Sequence, residues 1–359
     1  MSTPDTLTRA GTFRYVMRLL AYRFGVDRVT DLAAAMTYYL VLSVFPLMLA
    51  TVSIVNLVGG AEWLVPRLEA AVDAVASPAI AQAFAQVVGG FLASEGAGLT
   101  LVISLVAALW SASGYIGAFT RAVNTIYQVG EGRNFLKLKA IQLLMTLVLV
   151  LLLVLLSVSL AVSSSAARWL GNLVGLPSQF EAVWAWLRYP LMAVVVVILV
   201  QMLYFVAPNV RQPRVRVLSI GALVAIVLAV LIVLCFTTYL SVFNGMSSYA
   251  KTYGVLAGVI IALFFMFLWN VALLVGAELD AALERLHQLT LGLPAESGLI
   301  LPPRDERGIK TRAAAHTALV RRGEAIRAEA LATGAEASAW YSKERLDAER
   351  DESLEPADS

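Results

Sequence analysis

Eight polar residues within or just beyond long apolar runs are the places to look for chemistry. Tyr39, Ser43 and Pro46 fall in one run, Ser113 in a second, Asn270 and Glu278 in the last, and Asn124 and Arg133 just past the second. In a hydrocarbon solvent such groups must find partners inside a helix bundle or line a wet path. Tyr39 and Ser43 offer hydroxyls, and Pro46 removes a backbone donor and is expected to kink its helix beside them. Ala33, Ala34 and Ala35 leave room for a neighbouring helix, as do Gly114 and Gly117 beside Ser113. Asn270 lies deep enough to demand a partner. Glu278 either pairs with a cation, with Arg121, Arg133 and Arg211 the candidates, or carries a proton. It cannot act with Asp280 as a carboxylate pair, because residues two apart on a helix are rotated by about 200°. Asn124 can both donate and accept, which suits it to pin the loop bearing Glu131 and Arg133.

Enzyme signatures are missing from the sequence. There is no G-x-x-x-x-G-K-[ST] phosphate loop, no H-E-x-x-H and no G-x-S-x-G elbow. The two histidines, His287 and His316, and the single Cys235 are too few for a typical zinc site, and the carboxylates show no repeated D-x-D arrangement. The expectation is a protein that is not an enzyme and uses no cofactor and no metal.

The elements that must position these residues are membrane helices. Of 359 residues, 59% are hydrophobic and 14% charged, against about 45–50% and about 25% in soluble domains. A spanning helix needs about 20 mainly apolar residues. Six segments meet that length, approximately 32–58, 99–120, 140–162, 189–207, 218–240 and 254–279. The fold expected is all-α, a polytopic membrane protein with six transmembrane helices and amphipathic interfacial helices. Residues 74–94 are also uncharged, but Pro78, Gln82, Gln86, Gly89 and Gly90 interrupt them, and they are read as an interfacial or capping helix. Residues 1–31 are read as a cytoplasmic amphipathic helix, with Phe13, Val16, Met17, Leu20 and Phe24 on one side and Arg14 and Arg18 on another.

Orientation follows from Lys and Arg. With both termini on one side, that side holds thirteen of the seventeen basic residues before residue 302, including the clusters at 133–139 and 211–216. The opposite side holds only Arg67, Arg168, Arg188 and Lys251. Both termini are therefore expected in the cytoplasm. Trp63, Trp169, Trp184 and Trp186 are read as an aromatic belt at the opposite boundary. The membrane domain is placed at 32–285, and 286–359 is read as a polar, mostly disordered cytoplasmic tail, with a helix-forming Ala/Arg stretch at 309–332. Ending the chain at Pro303 is expected to leave the protein in the membrane. The net charge of +2 gives no basis for nucleic-acid binding, so membrane lipids are the expected partners, with the oligomeric state open.

Four blocks in order carry a family resemblance. They are A-A-A-M-T-Y-Y-L-V-L-S-V-F-P-L at 33–47, W-S-A-S-G-Y at 110–115 with Asn124, Tyr127 and Arg133, Y-F-V-A-P-N-V at 204–210, and Y-G-V-L-A-G-V at 253–259 leading to G-A-E-L-D-A at 276–281. Over roughly residues 15–285 the chain resembles the BrkB/YihY proteins of the bacterial inner membrane, formerly named ribonuclease BN. Asp280 stands where that family commonly has Asn. The resemblance implies six spans, a cytoplasmic-membrane location and a link to envelope biogenesis. Together with the polar residues above, it leads to the expectation of a protein that transports or flips a lipid or other amphipathic envelope component, with a non-transporting envelope scaffold as the alternative. The ribonuclease activity implied by the old name is not expected, because neither metal ligands nor a basic RNA-binding surface is found.

Overall fold

The computed structural model describes residues 9–57, 98–161, 177–211, 219–242 and 256–333, together with Pro66 and Gln86. Among these residues there are eight helices: α1 (Arg9–Val26), α2 (Val29–Leu57), α3 (Gly98–Ile126), α4 (Phe135–Ala161), α5 (Pro177–Val206), α6 (Ile220–Val242), α7 (Leu256–Thr290) and α8 (Arg307–Ala332). Helices α2 to α7 overlay the six apolar segments. Each of these six packs against the next, and α7 returns to α2, so they close into a ring, with α1 laid against α7. Arg307–Ser359 form a separate unit, of which α8 has no buried side chain.

Local chemistry sets where the helices begin and end. Arg28 takes a positive φ of 51° at the corner between α1 and α2. Asn134 caps α4 by accepting from the Lys137 N–H at 2.9 Å, and Ser219 caps α6 by accepting from the Ala222 N–H at 3.0 Å. At the end of α7, Gly292 adopts φ 76° and the Leu293 N–H reaches back to the Gln288 carbonyl, which satisfies carbonyls that the helix leaves open.

The core is narrow and rich in small residues. Ala33, Ala118, Ala122, Ala207, Ala225 and Ala277 are buried between helices that also enclose Met36, Ile116, Phe119, Leu203, Tyr204 and Leu274. Close backbone approach rather than bulk fills such an interior. The outward faces of α4, α5 and α6 carry exposed Leu144, Leu151, Val194, Ile198, Val227 and Leu234. Apolar side chains left uncovered in that number need lipid rather than water. Among the described residues four helical stretches are long and apolar enough to cross a membrane: Phe135–Leu156, Trp186–Val206, Ile220–Tyr239 and Gly258–Thr290. Val29–Ser43 is a shorter apolar helix. The chain is a polytopic helical membrane protein.

The structure departs from the sequence reading in three places. Helix α5 begins at Pro177, well before 189, and runs through Pro190, so Trp184 and Trp186 lie on a helix and not in a loop. On α1 the apolar side is divided. Val16 is buried and Phe24 packs on the core, whereas Phe13 and Met17 are exposed. That helix packs against α7, and its inward face also takes in Arg23, with Asp27 in the turn that follows. Residues 286–306, placed with the tail on composition, finish α7 and then fold back along the bundle, with an isolated antiparallel bridge between Val210 and Pro303. Composition could not show this, because the segment is held largely by polar bonds to residues distant in the chain, such as Gln128 and Asn209. The proposed helix at 74–94, apart from the single residue Gln86, and the residues Trp63 and Trp169 lie outside the described residues.

Candidate functional site

Three of the membrane-embedded polar residues join helices. Asn270 is fully buried; its amide donates to the Thr37 hydroxyl at 3.0 Å, and its carbonyl oxygen accepts from the Tyr115 hydroxyl at 3.0 Å. One side chain thus ties α2, α3 and α7 together. Ser43 donates to the Tyr39 carbonyl at 2.6 Å on its own helix and reaches the Ala112 carbonyl on α3 at 3.3 Å. Ser113 is buried and donates to the Trp110 carbonyl, while the Lys139 ammonium donates to the Ser113 hydroxyl and stands 4.1 Å from the centre of the Trp110 ring. The Tyr39 ring lies beneath the Arg121 guanidinium at 5.3 Å. Pro46 is within α2, which is continuous from Val29 to Leu57, and its side chain lies outside those described.

Glu278 does not meet the cations expected for it. Arg121 is over Tyr39, Arg133 is engaged by Glu131 and the Ala207 carbonyl, and Arg211 is on another face. The side chain of Glu278 is buried, and beside it stands Asp27 from the turn that follows α1. The corner at Arg28 brings Asp27 to this place, and sequence spacing gave no sign of it. Asp280, on a different face of α7, accepts from the Gly221 N–H at 2.8 Å. A carboxylate from one helix therefore serves the positive N-terminal end of another.

Asn124 and Arg133 do come together, within a larger polar clamp at the ring's end. The Asn124 amide donates to Glu131 at 3.0 Å, and its carbonyl oxygen accepts from the Asn209 N–H at 2.8 Å. Arg133 forks onto Glu131 at 2.8 and 2.7 Å and donates to the Ala207 carbonyl at 2.8 Å. Burial works to raise the Glu131 carboxyl, but the Arg133 guanidinium and N–H and the Asn124 amide outweigh it and hold the group below its ordinary range. Its contribution to stability is therefore present above the usual carboxylate pKa and is lost as pH falls through the lowered one. Asn209, fully buried, extends the clamp. Its amide donates to the Gly130 and Asp305 carbonyls, and its oxygen accepts from the Asp305 N–H at 3.0 Å. Arg304 donates to the Val210 and Phe205 carbonyls, and Lys137 pairs with Asp305 at 2.8 Å.

Beside the clamp, between α5, α6, α7 and the returning segment, is a cleft of about 390 Å³. Asp280, Glu284 and His287 line it along one face of α7, spaced i, i+4, i+7. Arg211 stands at its exposed edge, Tyr127, Gln201, Tyr204 and Ser219 add polar groups, and Leu291, Leu293, Ile300 and Leu301 form an apolar wall. None of the eight residues singled out on the sequence lines this cleft. Continuing the helical period beyond 279 would have found the acidic stripe, and Tyr204 stood in a quoted block. Leu293 to Pro302 could not have been placed from spacing.

These features define a class of protein, a helical membrane protein with a polar, clamped end and a charged cleft. Residues 20–297 match the family described as Virulence factor BrkB, and the chain belongs to that family. The ribonuclease-like protein YfkH of Bacillus subtilis (strain 168) is 25% identical over 279 residues, covering 76% of this chain and 96% of YfkH. No solved structure matches the chain.

Proposed function

We propose that this protein spans the cytoplasmic membrane six times with both termini inside, and that it transports or flips an amphipathic envelope component whose polar head enters the α5–α7 cleft. The observation that carries this reading is the cleft. It brings two carboxylates, His287 and Arg211 into one lining and adds an apolar wall. Opposed charges suit a head bearing both an ammonium and a phosphate, and the wall suits the start of an acyl chain. Six spans are supported by α2 and α3, each of 29 residues, whose stretches 32–58 and 99–120 are uncharged. The orientation rests on the thirteen-to-four distribution of basic residues. Cysteines introduced at Ser2 and Ser353 should resist an impermeant thiol reagent in intact cells, and labelling of either would reverse the topology. We read the protein as a non-enzyme.

A binding experiment tests the cleft. Short-chain phosphatidylethanolamine titrated into the detergent-purified protein should bind more tightly than phosphatidylglycerol of the same chain length. Glu284→Gln should weaken the first roughly tenfold, about 1.4 kcal/mol, within reach of a single charged hydrogen bond. Arg211→Gln should weaken both lipids. Equal binding by the wild type and both variants would remove the cleft from the account.

The scaffold reading has its own support in the Thr37–Asn270–Tyr115 junction, where polar groups that could line a path are spent on joining three helices.

A further inference from the structure

Where α1 crosses α7, three buried side-chain atoms have no hydrogen-bond partner: Arg23 Nη2, Asp27 Oδ2 and Glu278 Oε1. Glu278 is 2% exposed and the Asp27 side chain 9%. Buried orphan atoms are rare and each calls for an explanation. The Asp27 and Glu278 carboxyls are within hydrogen-bonding reach of each other. Two ionised carboxylates can only accept, so neither can satisfy the other. A single proton between them turns one into a donor and satisfies both. Arg23 does not take that role, since its Nε is 3.6 Å from Asp27 Oδ2, too long for a hydrogen bond.

The surroundings fit one proton and one water. A void of about 10 Å³ adjoins Glu278, lined also by Arg23 of α1, Gln128 after α3, Arg285 of α7 and apolar neighbours. That is about the space one water occupies, and the lining supplies the polar partners it needs. Of the other charged or titratable groups facing the pair, Arg285 gives its donors to the Ala295 and Glu296 carbonyls, and the Tyr127 phenol is close to Glu278 from the end of α3. Among the described residues α2 contributes none to the void. Arg23 leaves the pair short of a full complement of positive charge, since one cation faces two carboxyls.

We propose that Asp27 and Glu278 form a proton-binding site in which one shared proton, hydrated by a single water in the adjoining void, fastens α1 to α7, and that losing the proton releases α1. The step makes and breaks only an O–H bond, a carboxyl–carboxylate pair giving two carboxylates and a proton to water. It holds whether or not the cleft takes a ligand. Burial raises the Asp27 carboxyl above its ordinary range, against the pull of Arg23 and of the bond to Glu278. A raised group stabilises the docked state fully below its unfolded value and loses that contribution as pH rises through the raised one, the opposite sense to Glu131.

The test uses the full chain in lipid nanodiscs. Infrared spectra at neutral pH should show the carbonyl band of a protonated carboxyl, shifting in D2O and lost in both Asp27→Asn and Glu278→Gln. Spin labels at Phe13 and Phe135, in a Cys235→Ser background, should give a narrow distance distribution that broadens as the pH rises and the band disappears. In Glu278→Gln the amide supplies the donor permanently, so the distribution should stay narrow at every pH, which also reports that the variant is folded. A band that is missing at neutral pH in the wild type, that survives in both variants, or that disappears with no change in the label distance would overturn the proposal.

Discussion

Gly276→Val and Gly221→Val should each destabilise the bundle severely, with most of the protein lost from the membrane fraction and the remainder unfolding at much lower temperature in detergent. Helices α6 and α7 touch through these two glycines. A β-carbon on Gly276 would overlap the Gly221 carbonyl oxygen and the Tyr204 hydroxyl and lie 2.7 Å from the Ala225 Cβ. One on Gly221 would overlap the Gly276 carbonyl oxygen and come within 2.6 Å of the Asp280 carboxyl carbon. Because part of each obstacle is backbone, no change of rotamer relieves it. Overpacking costs about 1–3 kcal/mol where side chains can yield, and here the helices themselves must separate. Separation would also draw Asp280 away from the Gly221 N–H and open the floor of the cleft. Even alanine should lower the melting temperature at either position, whereas Gly25→Ala, with nothing within 4 Å of the added carbon, should leave it nearly unchanged. Equal melting temperatures for Gly25→Ala and Gly276→Ala would show that α6 and α7 do not meet as described.

Ending the chain after Pro303 should deplete the protein, whereas ending it after Glu306 should not. The earlier stop removes Arg304 from the Phe205 and Val210 carbonyls and Asp305 from Asn209 and Lys137. Asn209 is fully buried, and its amide and carbonyl oxygen would each lose a partner. Each buried polar group left unpaired costs about 1–3 kcal/mol, and several are left together. The later stop keeps every one of these bonds. Quantifying both truncations in the membrane fraction, beside their melting temperatures, separates the cases. Equal amounts of the two would mean that residues 304–306 do not hold the clamp, and would restore the composition-based view that everything past Pro303 is dispensable.

What the sequence made legible follows from what lipid demands. Uncharged runs of spanning length located α2 to α7 because no other solvent tolerates them, and the depth of Asn270 signalled that it needed partners. Which partners was hidden, because Thr37 and Tyr115 sit in different runs far from it in the chain. Asn124 was read as pinning the loop that bears Glu131 and Arg133, and its amide reaches Glu131 from the last turn of α3, only seven residues away. Their wider clamp was not visible, because Asn209 and Asp305 arrive from distant segments. Glu278 shows the limit most clearly. Charge counting offered it three arginines on the same side, but the corner at Arg28 presents a carboxyl instead. The cleft was missed because Glu284 and His287 lie past the end assigned to the last span, where the helix in fact continues to Thr290.

The most direct measurement is of lipid movement itself. Purified protein would be reconstituted into vesicles containing a fluorescently labelled phosphatidylethanolamine, and a reductant that cannot cross the bilayer would then be added outside. The account predicts that the reductant quenches label from both leaflets in vesicles holding the wild-type protein, and only the outer share in protein-free vesicles. Glu284→Gln should fall markedly below the wild type while keeping its melting temperature. Quenching limited to the outer leaflet with well-folded wild-type protein, under every ion gradient applied, would contradict transport and leave the helix-joining scaffold as the function.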